Sequence, residues 1–177
     1  MANALEVRRL AKERALSRER LKELLLYDEV TGKFYWRVKV AQCVHIGDEA
    51  GGLDSNGYRH ISIGRVKYKA HRLAWFYVHG VWPESKIDHR DGDKGDALIA
   101  LLREATPTQN NRNARIRKDN KSGFKGVGWK VDQGKWCARI WTDCGRKHLG
   151  YFSTPEEAYA AYCAAAEIHH QEFARVA

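Results

Sequence analysis

Residues 86–113 hold the side chains best suited to chemistry. Ile87-Asp88-His89 sets a carboxylate beside an imidazole on what reads as a strand, and Asp91-Gly92-Asp93 follows as a turn. Thr106-Pro107-Thr108-Gln109 reads as a helix start, with Thr106 as N-cap, Pro107 at N1 and Gln109 closing a capping box. Asn110 then falls in the first helical turn. Hydrolysis of a phosphodiester needs a hard cation held by oxygen ligands and a base that takes a proton from water. Asp88 and Asn110 offer the oxygens, and His89 offers the base. An adjacent Asp-His pair alone is more often a surface feature, so the surrounding elements must carry the reading.

Those elements begin with residues 1–26, which read as helix with a break near Ser17 and a Leu21, Leu24, Leu25 stripe. Residues 27–36 read as a turn feeding an aromatic strand. Asn56-Gly57 turns the chain into residues 58–63, and Gly64-Arg65 turns it again into residues 66–70. Arg59, Arg65, Lys67 and Lys69 make this hairpin a ribbon suited to tracking phosphates. Residues 71–79 read as a short helix with Leu73, Ala74 and Phe76 inward and Gly80 at its end. The helix opening at Thr106 is expected to run past Arg112, Arg115 and Arg117, with a linker near residue 120.

Beyond the linker, turns at 132–134 and 143–145 separate three short strands of an antiparallel meander. A second capping box, Thr154-Pro155-Glu156-Glu157, opens the last helix. Its Ala158, Ala161, Ala164 and Ala165 are small enough for close approach to a sheet. Strand alternation sends Trp136, Ala138 and Ile140 toward that helix, with Leu149 and Tyr151. Arg139, Trp141, Arg146 and His148 face the other way, with Lys125 and Lys130 expected beside them. A sheet face bearing cations and a large aromatic suits a nucleic-acid groove better than a core.

Composition agrees with this division. The 177 residues suit one or two small domains, and 44% hydrophobic residues with six Trp are enough for cores. Lys+Arg of 31 against Asp+Glu of 22 gives a formal +9, which favours a polyanionic partner. Cys43, Cys137, Cys144 and Cys163 form no C-x-x-C pair, so zinc-ribbon and thioredoxin-type readings find no support, and free thiols in a reducing compartment fit. No apolar run approaches membrane-spanning length, and the charged start does not read as a signal peptide.

The segments KAHRLAW, IDHRDGD, LREAT and QNNRN together resemble the HNH endonucleases, specifically the small phage and intron homing type. The resemblance implies an α+β chain whose nuclease domain is of ββα-metal type. It implies His89 as the catalytic base and Asp88 and Asn110 as ligands of one Mg²⁺ or Mn²⁺. It further implies double-stranded DNA as partner, no small-molecule cofactor, a monomer or weak dimer, and the cytoplasm, that of the host if the chain is phage-encoded. His71 matches the family's H-R-L and is expected to pack or touch DNA. The family reads D-N-R-x-x-N-L-R before the helix, whereas this chain reads Asp96-Ala97-Leu98-Ile99-Ala100-Leu101-Leu102-Arg103. Leu101 therefore stands where the family has an Asn thought to brace the loop carrying the base. That departure implies reduced turnover more than lost metal binding.

The C-terminal segment resembles the Apetala/ethylene-response-factor DNA-binding domain, a three-stranded sheet on one helix, through FKGVGW, GKWCARI and HLGYFSTPEEAYAAYCAAA. The resemblance places DNA contacts at Lys125, Gly126, Lys130, Arg139, Trp141, Arg146 and His148, beside Arg59, Lys67, Lys69 and Arg112 of the preceding region. The expected organisation is a helical segment at 1–26, a nuclease domain at 27–120 and a sheet-on-helix DNA-binding domain at 121–177. The function read from this is a DNA endonuclease using one divalent metal. The alternative is a sequence-specific DNA-binding protein of weakened or lost catalysis.

Overall fold

The computed structural model describes residues 4–117 and 119–175. The chain divides into two compact units, residues 1–105 and 106–177. Helices and several small antiparallel sheets make it an α+β protein.

The N-terminal unit opens with α1 (Ala4–Arg14) and α2 (Arg18–Leu24). The break between them falls at Ser17, whose hydroxyl accepts the Arg20 N–H at 3.1 Å as an N-cap. Leu21 and Leu24 are buried as the stripe requires, whereas Leu25, expected on the helix, is buried in the strand that follows because the helix ends at Leu24. β1 (Leu25–Asp28) and β2 (Lys33–Trp36) form a hairpin with Tyr27 opposite Phe34. The Asp28 carboxylate accepts the Val30 N–H and the Thr31 hydroxyl across its turn.

β3 (Gly52–Leu53), β4 (Arg59–Ile63) and β5 (Val66–Lys69) make a three-stranded antiparallel sheet. Gly64 and Arg65 both have positive φ, 55° and 66°, the geometry of a tight hairpin turn matched to strand twist. α3 (Ala70–His79) follows directly and ends at Gly80 in the left-handed conformation. Its Leu73, Ala74 and Phe76 enter one core with Leu21, Leu25, Phe34 and Ile61. β6 (Lys86–His89) and β7 (Leu102–Ala105) then pair antiparallel, with a single 3-10 turn at Ile99–Leu101 leading into β7.

The C-terminal unit starts with α4 (Pro107–Arg112), capped by Thr106 and Gln109 through both bonds of the expected capping box. The helix stops at Arg112 rather than continuing past Arg117. Asn-Asn-Arg-Asn is a weak helix former, and the Lys125 ammonium caps its end by donating to the carbonyls of Arg112 and Ala114. β8 (Val127–Lys130), β9 (Lys135–Thr142) and β10 (Gly145–Phe152) form the meander, and α5 (Pro155–His170) covers one face. Thr154 and Glu157 complete its capping box.

Ala138 and Ile140 are buried against α5, with Trp136, Leu149 and Phe152 packed around them. Tyr151 lies on the opposite face from that expected. A register shift between His148 and Gly150 inserts Leu149 as an extra residue, so Tyr151 pairs with Cys137 and meets His148 at 4.6 Å between ring centroids. On α5 the buried set is Ala158, Tyr162, Ala165, Ala166 and His170, spaced for one helical face. Ala161 is half-buried and Ala164 is exposed, because its position falls off that stripe. Lys125 precedes β8 instead of belonging to it.

Candidate active site

The β6–β7 hairpin sets the site's first two groups. Its register places Asp88 opposite Arg103 and His89 opposite Leu102. Arg103 donates from Nε and Nη2 to Asp88 Oδ2, both at 2.9 Å, and the two side chains are 5–8% exposed. A buried guanidinium on a buried carboxylate keeps the acid oriented, because neither charge has bulk water to turn into. Position 103, inside LREAT, was not singled out from sequence, and its place across the hairpin from Asp88 comes from the strand register.

His89 is buried, and its Nε2 lies 3.1 Å from the Asp96 carbonyl oxygen. A carbonyl only accepts, so Nε2 carries the proton, and in the neutral ring Nδ1 is the basic nitrogen. Burial lowers the His89 pKa, against the Asp96 hydrogen bond and the nearby carboxylates of Asp91, Asp88 and Asp93, which raise it. His71 of α3 is buried edge-on to His89, with ring centroids 4.8 Å apart. Desolvation holds its pKa well below the usual range, with the neighbouring His89, Lys69 and Arg72 adding to the shift. His71 is therefore a neutral packing partner. α3 is fixed by Arg72, which pairs with Glu13 at 2.7 Å and donates to the carbonyls of Pro83 and Ser85 just before β6. Tyr58 faces both histidines, at 5.6 and 6.3 Å, and carries the Lys69 ammonium over its ring at 3.8 Å.

Asn110 lies half-buried in α4, in the C-terminal unit, while Asp88 and His89 belong to the N-terminal one. Asn113, at the end of α4, is buried and was not singled out from sequence. Among the described residues no cluster of three or more His, Cys, Asp or Glu is placed to hold a metal. A donor set of one carboxylate, one amide oxygen and the substrate's own oxygens suits a hard divalent cation and would not form such a cluster. Asp88 and Asn110 are each an oxygen donor of the type that suits such a cation.

The expected DNA-contact residues are placed unequally. Lys67, Trp141, Arg146 and His148 are exposed, and Lys130 and Arg139 are half-buried. Arg59 is held by Glu49 at 2.6 Å, Lys69 by the Tyr58 ring, and Arg112 by Asp143. Lys125 is taken up by the α4 carbonyls, and burial lowers its pKa to about 8. A groove of about 460 Å³ on the open sheet face is bordered by Trp129, Lys130, Arg139, Trp141 and Arg146.

A strand hairpin bearing Asp-His and a capped helix bearing Asn are the elements expected of an HNH nuclease. The HNH endonuclease family model matches residues 68–112, covering α3, β6, β7 and α4. A relative, Protein 3.8 of Escherichia phage T7, is 33% identical over 85 residues, which span 46% of this chain and 69% of the relative. The chain belongs to the HNH endonuclease family. It is thus a nuclease-type, DNA-binding protein, and enzymes of this family typically use a divalent metal. No helix among the described residues is long and apolar enough to cross a membrane.

Proposed function

We propose that the chain is a DNA endonuclease of the homing type that hydrolyses one phosphodiester at a time in duplex DNA. The observation that carries this reading is the His89 imidazole, buried and held with Nε2 protonated, immediately after an Asp88 fixed by Arg103. In this mechanism Nδ1 of His89 takes the proton of the attacking water. Asp88 and Asn110 would hold one divalent cation, Mg²⁺ or Mn²⁺, which when bound supplies Lewis-acid stabilisation of the phosphate. Arg103 keeps the Asp88 carboxylate oriented, and His71 excludes water from the inner side of His89.

Residues 121–177 act as an Apetala/ethylene-response-factor-like DNA-binding domain, reading duplex DNA with Lys130, Arg139, Trp141, Arg146 and His148. Exposure of Trp141, Arg146 and His148 on the uncovered sheet face supports this. The chain works as a monomer or weak dimer in the cytoplasm, that of the host if it is phage-encoded, so a double-strand break needs a second subunit or a second event.

The test is nicking of duplex DNA with Mg²⁺, with and without chelator. His89→Ala should lower the rate on the order of a hundredfold or more while leaving DNA affinity nearly intact. Wild-type nicking by His89→Ala would remove His89 from the base role. A second reading, a DNA-binding protein without useful catalysis, rests on Leu101 in place of an Asn.

A further inference from the structure

The His89 imidazole is oriented by a carbonyl that lies in a loop, so its placement is only as good as that loop's. Residues 96–99 form the loop, and the Asp96 carboxylate steadies it locally by accepting the Leu98 N–H at 2.9 Å. Its main restraint comes from the β1–β2 hairpin, 70 residues earlier in the chain. The Tyr27 hydroxyl donates to the Ala97 carbonyl at 2.7 Å and accepts the Ile99 N–H at 3.1 Å. It therefore bridges a donor and an acceptor two residues apart. Tyr27 is 5% exposed, and its ring packs on Phe34 and Tyr77 at 4.7 and 5.7 Å between centroids.

The hairpin's turn seats on the same loop. A Cβ added at Gly32 would lie 2.5 Å from Leu98 N and 2.6 Å from Asp96 Oδ1, and Gly32 has a φ of 69°. Only glycine allows that approach. Hydroxyl and turn together form a clamp that reaches His89 through Asp96.

We propose that Tyr27 is a positioning residue for His89: its hydroxyl fixes the 96–99 loop, and the Asp96 carbonyl in turn fixes the imidazole with Nδ1 as its basic nitrogen. This rests on the nuclease reading for its consequence in rate, and on geometry alone for its consequence in tautomer. Burial pushes the Tyr27 phenol up to about 12, so it stays a donor at any working pH.

The experiment compares full-length wild type with Tyr27→Phe, which keeps the ring and removes the bridge. Nicking of plasmid DNA should lose at least about tenfold in kcat with KM within about twofold, since misplacing a reacting group costs rate more than binding. Nitrogen-15 spectra of labelled histidine should show His89 protonated at Nε2 in wild type and as a tautomer mixture in Tyr27→Phe. A folded Tyr27→Phe with wild-type kcat and an unchanged tautomer overturns the proposal. So does a wild-type His89 protonated at Nδ1, whether or not the variant folds. Gly32→Ala, which displaces the loop and leaves the hydroxyl in place, should give the same loss in kcat, and wild-type behaviour there counts against the clamp. If wild type and His89→Ala both fail to nick, the nuclease reading falls by itself, and the tautomer comparison still decides the role of Tyr27.

Discussion

At His89, desolvation and hydrogen bonding pull the proton affinity in opposite directions, and burial is the larger effect. A lowered pKa keeps the imidazole neutral, and so able to accept a proton, below the ordinary value of ~6.5. Nicking plotted against pH should reach half its plateau only below about pH 6.5, the midpoint of an ordinary imidazole. A midpoint above pH 7 would mean that the base titrates higher than its burial allows. Asp88 and Arg103 make a second residue-level case. Each is nearly inaccessible to solvent, so removing one partner takes a close opposite charge from a buried one. Arg103→Ala should cost about 3–5 kcal/mol of stability, and Asp88→Leu with Arg103→Met should recover most of it. Urea denaturation measures both. A loss under about 1 kcal/mol in the single variant would mean that the pair is solvated.

The loop joining β6 to β7 decides what the Leu101 departure is worth. Leu101 is half-buried, and its backbone carbonyl accepts the Arg90 N–H at 2.9 Å, just past the end of β6. The Gly92 N–H returns to the His89 carbonyl at 2.9 Å. Backbone bonds therefore tie the base-bearing strand to the following turn without any polar side chain at 101. With that tie in place, Leu101→Asn should change the nicking rate by less than about twofold, because the Arg90 and Gly92 N–H groups of that turn are already paired. A rise of tenfold or more would mean that the site has decayed. These ties also mark what the sequence could and could not reveal. Both capping boxes were legible, since an N-cap is a local bargain between one side chain and backbone three residues away. The Asp88-His89 strand was legible for the same reason of locality. The Tyr27 bridge was not, because nothing in residues 25–36 encodes which distant loop the phenol meets. Nor was the bulge at Leu149, where one extra residue reverses the face of Tyr151.

Across the whole molecule, the charge surplus and the open sheet face bear on the same partner. The chain carries a formal +9. In the C-terminal unit α5 covers one face of the sheet, and the other presents Trp141 at 64% exposure beside Arg146. An exposed Trp set among cations suits a partner that offers both apolar base edges and phosphates, as a DNA groove does. The unit of structure is 106–177, so a fragment with those bounds keeps α4, the Arg112–Asp143 pair and the Lys125 cap. Cutting at residue 120 would leave Lys125 without the carbonyls that its ammonium meets. The 106–177 fragment should fold and bind duplex DNA, with affinity falling steeply as salt rises. Arg139→Ala should cost about 1–3 kcal/mol on a preferred sequence, since a half-buried guanidinium at the groove's edge is placed to read a base. Arg146→Ala, on an exposed side chain, should weaken all sequences alike and reduce the salt dependence. Fluorescence anisotropy at several salt concentrations separates the two. A folded fragment with no duplex affinity at low salt would make this sheet a packing module, and would move the DNA contacts to Lys67 and its neighbours on the β4–β5 hairpin.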